Sequence, residues 1–241
     1  MKKKLSIVLA VVLPVILLLT CVTSTVYGLC WPGGFIEDFE WGYAGCPLDD
    51  CSTHWKVVGP YTGESWAKID DDDAHVHQGT RSAEFYRNGS KNVYAYYKMS
   101  DTSEIYYIGF YVMRGGTAYV DFRCGDGDHC IWVRIRSDGK VQWYDYPQWH
   151  TVEKDGIPVY ISPMQYYKIE FKNIDWDVYP DGTFDIYVRT EQGTLLGCET
   201  EAIMHDHGGF DKGIYFENLS PSSGSFWIDD ILCYYHYSWY W

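Results

Sequence analysis

The sequence predicts an all-β protein, a two-sheet antiparallel β-sandwich of the jelly-roll type that forms one domain after an N-terminal export signal. About a dozen short segments alternate apolar and polar residues, which is the period of a half-buried strand. Turn sequences such as Asn88-Gly89, Asp138-Gly139 and Asp181-Gly182 separate these segments. The chain has no heptad pattern, no long amphipathic helix and no repeat of roughly 20–50 residues.

The first 28 residues differ in composition from the rest of the chain. Three lysines precede an apolar run from Leu5 to Leu19, and small residues lead to Gly28. This pattern is typical of a secretory signal peptide, with cleavage expected after Gly28; a retained membrane anchor is the alternative, although the run is short and contains Pro14. We therefore expect the domain, residues 29–241, to be secreted, extracellular or on the cell surface, without a membrane span in the mature form.

The predicted strands follow one another without a linker, so we expect one domain. In one example of the alternation, Val120 and Phe122 face the core and alternate with Asp121 and Arg123, which lie on the solvated face. In order, the strands are 35–41, 65–70, 81–87, 92–99, 104–114, 117–124, 130–136, 140–146, 166–173, 183–190, 194–199, 213–218 and 225–235.

Composition limits the function. The net charge is −14, and the predicted signal contains three lysines but no acid, so the mature domain is more acidic still. Such a protein is not expected to bind nucleic acid through its overall field. Aromatic residues make up 18% of the chain, more than a core of this size needs, so we expect some of them on a binding surface.

Eight cysteines in an exported chain indicate disulfides. Cys46–Cys51 and Cys124–Cys130 are the predicted local pairs, and Cys30–Cys233 would join the two terminal strands. Cleavage after Gly28 removes Cys21 and leaves Cys198 as the odd residue. A direct Cys124–Cys130 pair would place Phe122 opposite Trp132 and put the apolar faces out of phase, so it requires a bulge.

Acidic residues interrupt both terminal strands. The first contains Asp38 and Glu40, and the last contains Asp229 and Asp230. Buried carboxylates need a cation or hydrogen bonds. We therefore expect the two strands to lie side by side, with these four acids as candidate ligands of a structural calcium ion, which prefers oxygen ligands. The alternative is that the acids face solvent.

A basic and aromatic stripe is predicted on the solvated strand faces. Aromatic rings stack against the C–H faces of sugars, and arginine binds carboxylates or sulfates in a fork. The stripe could therefore bind a polysaccharide or glycan, an anionic one included; the alternative is ordinary cross-strand pairing with cation–π contacts. Its members are Tyr119, Arg123, Trp132, Arg134, Arg136, Tyr144, Tyr146, Tyr187 and Arg189, and Trp149 in a loop is a further candidate sugar platform.

Several short motifs together resemble the concanavalin A-like lectin/glucanase superfamily, which includes laminin-G-like domains and carbohydrate-binding modules. They are Phe39-Glu40, Trp55, Asp70 to Asp73 leading into His77-Gln78-Gly79-Thr80-Arg81-Ser82-Ala83-Glu84-Phe85, Gly213-Ile214-Tyr215-Phe216-Glu217-Asn218, and Trp227-Ile228-Asp229-Asp230-Ile231. The resemblance implies a jelly roll with a structural calcium where the chain ends meet, and glycan binding on the concave sheet or the rim loops.

Catalysis leaves little trace in the sequence. The resembling glucanases carry a Glu-x-Asp-x-x-Glu strand motif, and nothing in this chain matches it, so we favour binding without catalysis and assign no catalytic residue. Two alternatives stay open. One is a polysaccharide lyase or glycoside hydrolase on the same fold. The other is a structural cell-surface, filament or coat subunit that assembles through its aromatic tail, residues 234–241.

Overall fold

The computed structural model describes residues 34–59, 65–89, 92–99, 102, 105–178, 181–206 and 213–235. Apart from Gly34, the described residues belong to one compact unit, Phe35–Trp241. The predicted signal peptide, Cys30 and residues 236–241 of the tail lie outside the described residues. In the described part of the chain, none of the helices has the length and apolar character needed to cross a membrane.

Sheet 1 holds both ends of the described chain. Its strand order is β15-β14-β13-β6-β18-β4-β3, and β1 pairs with β18. The first and last strands therefore lie side by side, which confirms the prediction. The strands are β1 (Gly34–Glu37), β3 (Ser65–Asp70), β4 (Ser82–Arg87), β6 (Ile105–Arg114), β13 (Tyr166–Asp175), β14 (Thr183–Thr190), β15 (Leu195–Ile203) and β18 (Gly224–Tyr235).

Sheet 2 packs against sheet 1. Its order is β10-β9-β8-β7-β17-β5-β2, with β16 beside β8. The strands are β2 (Trp55–Val58), β5 (Val93–Lys98), β7 (Val120–Gly125), β8 (His129–Ile135), β9 (Val141–Asp145), β10 (Gln148–Thr151), β16 (His205–Asp206) and β17 (Gly213–Asn218). A hairpin of β11 (Glu153–Lys154) and β12 (Ile157–Pro158), the helical turn α1 (Leu48–Cys51) and a 3-10 turn (Asp73–His75) complete the described fold.

Phenylalanine rings from both sheets form the centre of the core. Phe122 of β7 lies 4.9 Å from Phe110 and 4.9 Å from Phe171 between ring centroids, and Phe216 of β17 meets Phe110 edge to face at 5.0 Å. These rings are fully or almost fully buried. Burying one such side chain contributes roughly 2–3 kcal/mol. The predicted alternation is confirmed, because inward residues such as Phe122 and Phe171 are those that the pattern assigns to the core.

The sequence predicted the long strands but missed the short ones. β2, β10 and β16 have two to four residues each and lie at or near the edges of sheet 2, where alternation is too brief to detect. The predicted first strand, 35–41, ends early at Glu37 because Phe39 adopts φ 58°. This turn buries the Phe39 ring and allows the carboxylate of Glu37 to accept the backbone N–H of Phe39 at 3.0 Å.

One predicted disulfide forms and another does not. Cys46 and Cys51 are bonded, with their Cα atoms 6.3 Å apart. The prediction of Cys124–Cys130 is wrong: both are free thiols, because Cys124 pairs with Ile131 and Cys130 with Gly125. Adjacent rungs of a ladder face opposite sides of the sheet, so the apolar alternation, and not the disulfide, sets the register.

Cys233 and Cys198 are also free thiols in the structure. Cys233 is buried in the core, whereas Cys198 is partly exposed on β15. Cys30 lies outside the described residues, so the bond from Cys233 to Cys30 stays a prediction. The Cys233 thiol points into the apolar interior, where burial raises its pKa to about 12.

Candidate functional site

The four acids predicted to bind calcium lie near the junction of β1 and β18 but do not share one centre. Glu40 Oε1 accepts the backbone N–H groups of Thr80 at 2.6 Å and Arg81 at 2.9 Å. Asp38 is exposed, and its carboxylate accepts the N–H of Glu40 at 3.2 Å. Among the described residues, no group of three or more histidine, cysteine, aspartate or glutamate side chains is placed to hold a metal ion.

Asp229 and Asp230 lie in a β-bulge. The pairing of β18 with β6 shifts register between Asp229 and Leu232, and Asp230 adopts φ 48°. Asp229 Oδ2 accepts the backbone N–H groups of His77 at 2.9 Å and Gln78 at 3.3 Å, while Asp230 Oδ2 lies 2.6 Å from His77 Nδ1. The bulge thus turns two consecutive carboxylates toward the same segment. Burial, reinforced by the charge of Asp230, raises the pKa of Asp229 to about 7.

These contacts give the carboxylates partners within the protein. Together Glu40, Asp229 and Asp230 fix the segment 77–81 against the strands at the two chain ends. As described, the four acids do not fit a single calcium centre, because their oxygens point to separate N–H groups. Calcium stays a prediction from the sequence.

A cleft of about 470 Å³ opens on sheet 1 beside the segment 74–76. Its lining includes Met113 and Tyr166, together with Glu191 of the β14–β15 turn. Glu191 Oε1 lies 3.9 Å from His77 Nε2. The imidazole of His77 stacks on Tyr111 with ring centroids 3.5 Å apart and meets Tyr166 edge to face. The contact between His77 and Asp230 could not be predicted from the sequence, because Asp230 reaches this histidine only through the bulge.

Sheet 2 carries the main group of predicted binding residues on its outer face. Pairing places Trp132 of β8 opposite Arg123 of β7, and Tyr144 of β9 opposite Trp149 of β10. Their side chains alternate with core residues, so they project from the face that points away from sheet 1. The solvated face predicted from the alternation is therefore formed by β7, β8, β9 and β10.

We call Trp132, Tyr144, Tyr146, Trp149 and His205 the aromatic cluster. Trp132 meets Tyr144 at 4.9 Å and Trp149 at 5.5 Å between ring centroids. His205 of β16 lies 4.9 Å from Tyr144 and stacks 5.9 Å from Tyr146, which is 69% exposed. The two indoles and Tyr144 are partly exposed, whereas His205 is buried beneath them. Offset and edge-to-face contacts of this kind fix ring orientations.

The arginines beside the cluster are already bound by other side chains. Arg123 Nη2 donates to Asp121 Oδ2 at 2.5 Å and to Glu217 Oε2 at 3.0 Å, and the guanidinium lies 4.5 Å above the Trp132 ring. The charge of the Arg123 guanidinium is therefore balanced by two carboxylates. Arg123 has a raised pKa, because the two acids outweigh the effect of its burial.

Arg134 is also held in place. Its Nε and Nη2 atoms donate to Gln142 Oε1 at 2.9 and 2.8 Å, and its guanidinium lies 3.5 Å above the Trp149 ring and 5.9 Å from Tyr119. Arg136, just after β8, pairs with Asp138 at 3.4 Å. The arginines thus orient the aromatic rings, and the described contacts occupy much of their donor capacity.

Tyr187 and Arg189 are not part of this face, so the prediction of one continuous stripe is wrong. Both lie on β14 in sheet 1. Arg189 Nε donates to Glu170 Oε2 at 2.8 Å, and its guanidinium lies 5.7 Å from the Tyr187 ring. Alternation assigned both to a solvated face correctly, but it carries no information on which sheet contains the strand.

Four residues that shape the aromatic face were not predicted as site residues from the sequence. Asp121, Gln142 and Glu217 supply the acceptors for the arginines, and His205 supports the tyrosines. The role of Asp121 could have been inferred from the sequence, since it lies between Tyr119 and Arg123 in the same alternating segment and therefore on the same face. Glu217 and His205 had no such signal, because β17 and β16 reach β7 and β8 from distant parts of the chain.

No family model matches the sequence, and no curated protein matches it. Solved structures are similar in fold. A carbohydrate esterase from the Shiga toxin-encoding bacteriophage phi24B aligns with a TM-score of 0.54 and 8% identity, covering 79% of this chain and 95% of that chain. The alginate lyase Aly36B, in complex with alginate tetrasaccharide, aligns with a TM-score of 0.51 and 12% identity, covering 85% and 98%. These similarities confirm the predicted jelly-roll β-sandwich fold.

Proposed function

We propose that this protein is an exported carbohydrate-binding β-sandwich that binds a neutral glycan on the outer face of sheet 2. The observation that supports this most is the aromatic cluster, in which each ring lies within 6 Å of at least one other. Its rings come from β8, β9, β10, β16 and one loop, and all of them except the buried His205 are at least partly exposed. Pyranose rings present apolar C–H faces, which pack on such rings, while nearby amide, carboxylate and hydroxyl groups can bind sugar hydroxyls.

The charges beside the cluster favour a neutral ligand over an anionic one. Arg123 is matched by Asp121 and Glu217, and Arg134 is bound to Gln142 and stacked on Trp149. An anionic sugar would have to displace these partners, and it would approach a protein whose net charge is −14.

Binding to an array of neutral and acidic glycans, followed by calorimetry with the strongest neutral ligand, tests this proposal. Trp149→Ala is expected to weaken that binding by roughly tenfold or more, because a central aromatic contact is lost. Trp66→Ala is the matched control: Trp66 is also partly exposed, but it stacks on Tyr86 on the outer face of sheet 1. Equal losses in the two variants, or binding only to acidic glycans, would refute the proposed site.

His77 favours a second candidate function, which is cleavage of a polysaccharide by a lyase or glycoside hydrolase. Its Nδ1 is fixed by Asp230, and its Nε2 lies 3.9 Å from Glu191, which lines the sheet 1 cleft, an arrangement suited to transferring a proton. Incubation with a panel of polysaccharides, with detection of unsaturated products and new reducing ends, tests this activity. Products formed by the wild type but not by His77→Ala would support catalysis, and their absence would leave binding as the function.

A further inference from the structure

Asp121 is a buried carboxylate on the same face of sheet 2 as the partly exposed rings of Trp132, Tyr144 and Trp149. Only 1% of its surface is accessible. Its Oδ1 accepts the indole N–H of Trp132 at 2.5 Å, and its Oδ2 accepts Arg123 Nη2 at 2.5 Å. The two oxygens of one carboxylate therefore fix both the aromatic ring and the guanidinium that lies above it.

Trp132 is the member of the aromatic cluster through which this carboxylate affects the others. Its ring contacts Tyr144, Trp149 and His205 at centroid distances of 4.9, 5.5 and 5.8 Å. An indole held at its Nε1 and covered by a guanidinium has little freedom to rotate. The orientation of Trp132 therefore sets where the neighbouring rings can pack, and loss of its hydrogen bond would loosen the whole cluster.

The charged and titratable groups around Asp121 come from three strands. Glu217 of β17 and Arg134 of β8 occupy the paired positions on either side, and Arg123 lies on the same strand. Cys130 of β8 is close enough to interact, but burial raises its pKa to about 12, so the thiol stays neutral. Tyr119 also interacts with Asp121, and its pKa is raised by burial. Near neutral pH the carboxylate thus faces one further acid and two guanidinium groups.

We propose that Asp121 is the positioning residue of the glycan site and that its protonation in mildly acidic solution releases Trp132 and weakens glycan binding. This inference rests on the proposed function. Burial raises the pKa of Asp121 to about 6, against the opposing effects of Arg123 and Trp132. The carboxylate is therefore expected to accept a proton as the pH falls through about 6.

The first test needs no ligand. In protein labelled with ¹⁵N at the tryptophan indoles, the Trp132 Nε1–H resonance, assigned with Trp132→Phe, is expected to move with a midpoint near pH 6. Trp176 is the internal control, because it is buried and its indole donates to a backbone carbonyl oxygen, that of Ile105, at 2.9 Å. A carbonyl oxygen does not titrate, so this resonance should stay constant from pH 5 to 8. A Trp132 resonance that is constant over the same range would overturn the proposal.

The second test measures affinity for cellohexaose, a neutral chain with flat C–H faces, at pH 7.5 and pH 5. Wild-type protein is expected to bind about fivefold more weakly at pH 5, in line with the loss of one hydrogen bond. Asp121→Asn should bind weakly at both values. Trp132→Phe, which keeps a ring but has no indole N–H, should lose the pH dependence even if Asp121→Asn does not fold.

The outcomes separate this inference from the proposed function. A Trp132 resonance that titrates, together with affinity that does not change with pH, would overturn the regulatory role of Asp121. No binding of cellohexaose at either pH, with a titrating Trp132, would support Asp121 as the anchor of the ring and count against neutral glucans as ligands. A parallel loss of affinity and of the Trp132 hydrogen bond supports the inference in full.

Discussion

Glu170 of β13 offers a quantitative test of the electrostatics on sheet 1. It is almost fully buried. Its carboxylate accepts Tyr107 Oη at 2.9 Å and Arg189 Nε at 2.8 Å, and it lies 3.2 Å from Lys168 Nζ and 3.5 Å from Lys172 Nζ. Three cations thus surround one carboxylate. Arg189 therefore stabilises the fold through Glu170, and it does not lie on the aromatic face.

The magnitude follows from the pKa of Glu170. Burial opposes its ionisation, but the hydrogen bonds from Arg189, Tyr107 and Lys168 outweigh burial and lower the pKa from 4.5 to about 2. This difference corresponds to roughly 3 kcal/mol of stability at neutral pH. Because the folded-state pKa lies below the unfolded-state value, the contribution is complete above about pH 5 and disappears as the pH falls toward 2.

Urea unfolding of Glu170→Gln, followed by tryptophan fluorescence at pH 7 and pH 3, measures this contribution. We expect the variant to be less stable than the wild type by about 2–3 kcal/mol at pH 7 and by roughly half of that at pH 3. Glu153→Gln, at an exposed position on β11, is the control and should change stability by less than about 0.5 kcal/mol. A difference for Glu170→Gln that is the same at both pH values would refute the electrostatic explanation.

Three further predictions concern the turns, the acids and the thiols. Gly139→Ala should destabilise the fold by at least about 2 kcal/mol, because φ is +88° and a Cβ would lie 2.3 Å from the carbonyl oxygen of Ile161. Gly45→Ala is the control: φ is +78°, but a Cβ there would meet open space, so the change should cost about 1 kcal/mol. Thermal unfolding of the two variants compares them. Dialysis against a chelator should leave the melting temperature unchanged, because the carboxylates of Asp229 and Glu40 already accept backbone N–H groups. A fall of several degrees would instead support the calcium site predicted from the sequence. Among the described cysteines, Cys198 should react first with a thiol reagent in the native protein, as mass spectrometry can show, since the other three free thiols are buried; earlier labelling of Cys124 would contradict the packing.

The fold class and the core residues could be predicted from the sequence alone. Alternation is a local property, so the inward positions of Phe122 and Phe171 could be assigned before any strand was paired. Acidic residues in both terminal strands also indicated that these strands are neighbours, and β1 does pair with β18. In each case the physical reason is burial, which selects the residue types that a given position tolerates.

How the solvated faces are assembled could be learned only from the three-dimensional structure. Alternation shows that Arg123 and Arg189 both leave the core, but the pairing of β7 with β17 brings Glu217 to the first, and the pairing of β13 with β14 brings Glu170 to the second. The bulge that directs Asp230 to His77 likewise depends on a pairing partner far along the chain. The face of the sheet on which a side chain lies follows from the local alternation and could be predicted in part. The partners that meet it come from distant strands, and they are set by the packing of the whole sandwich, so they could not be predicted from the sequence.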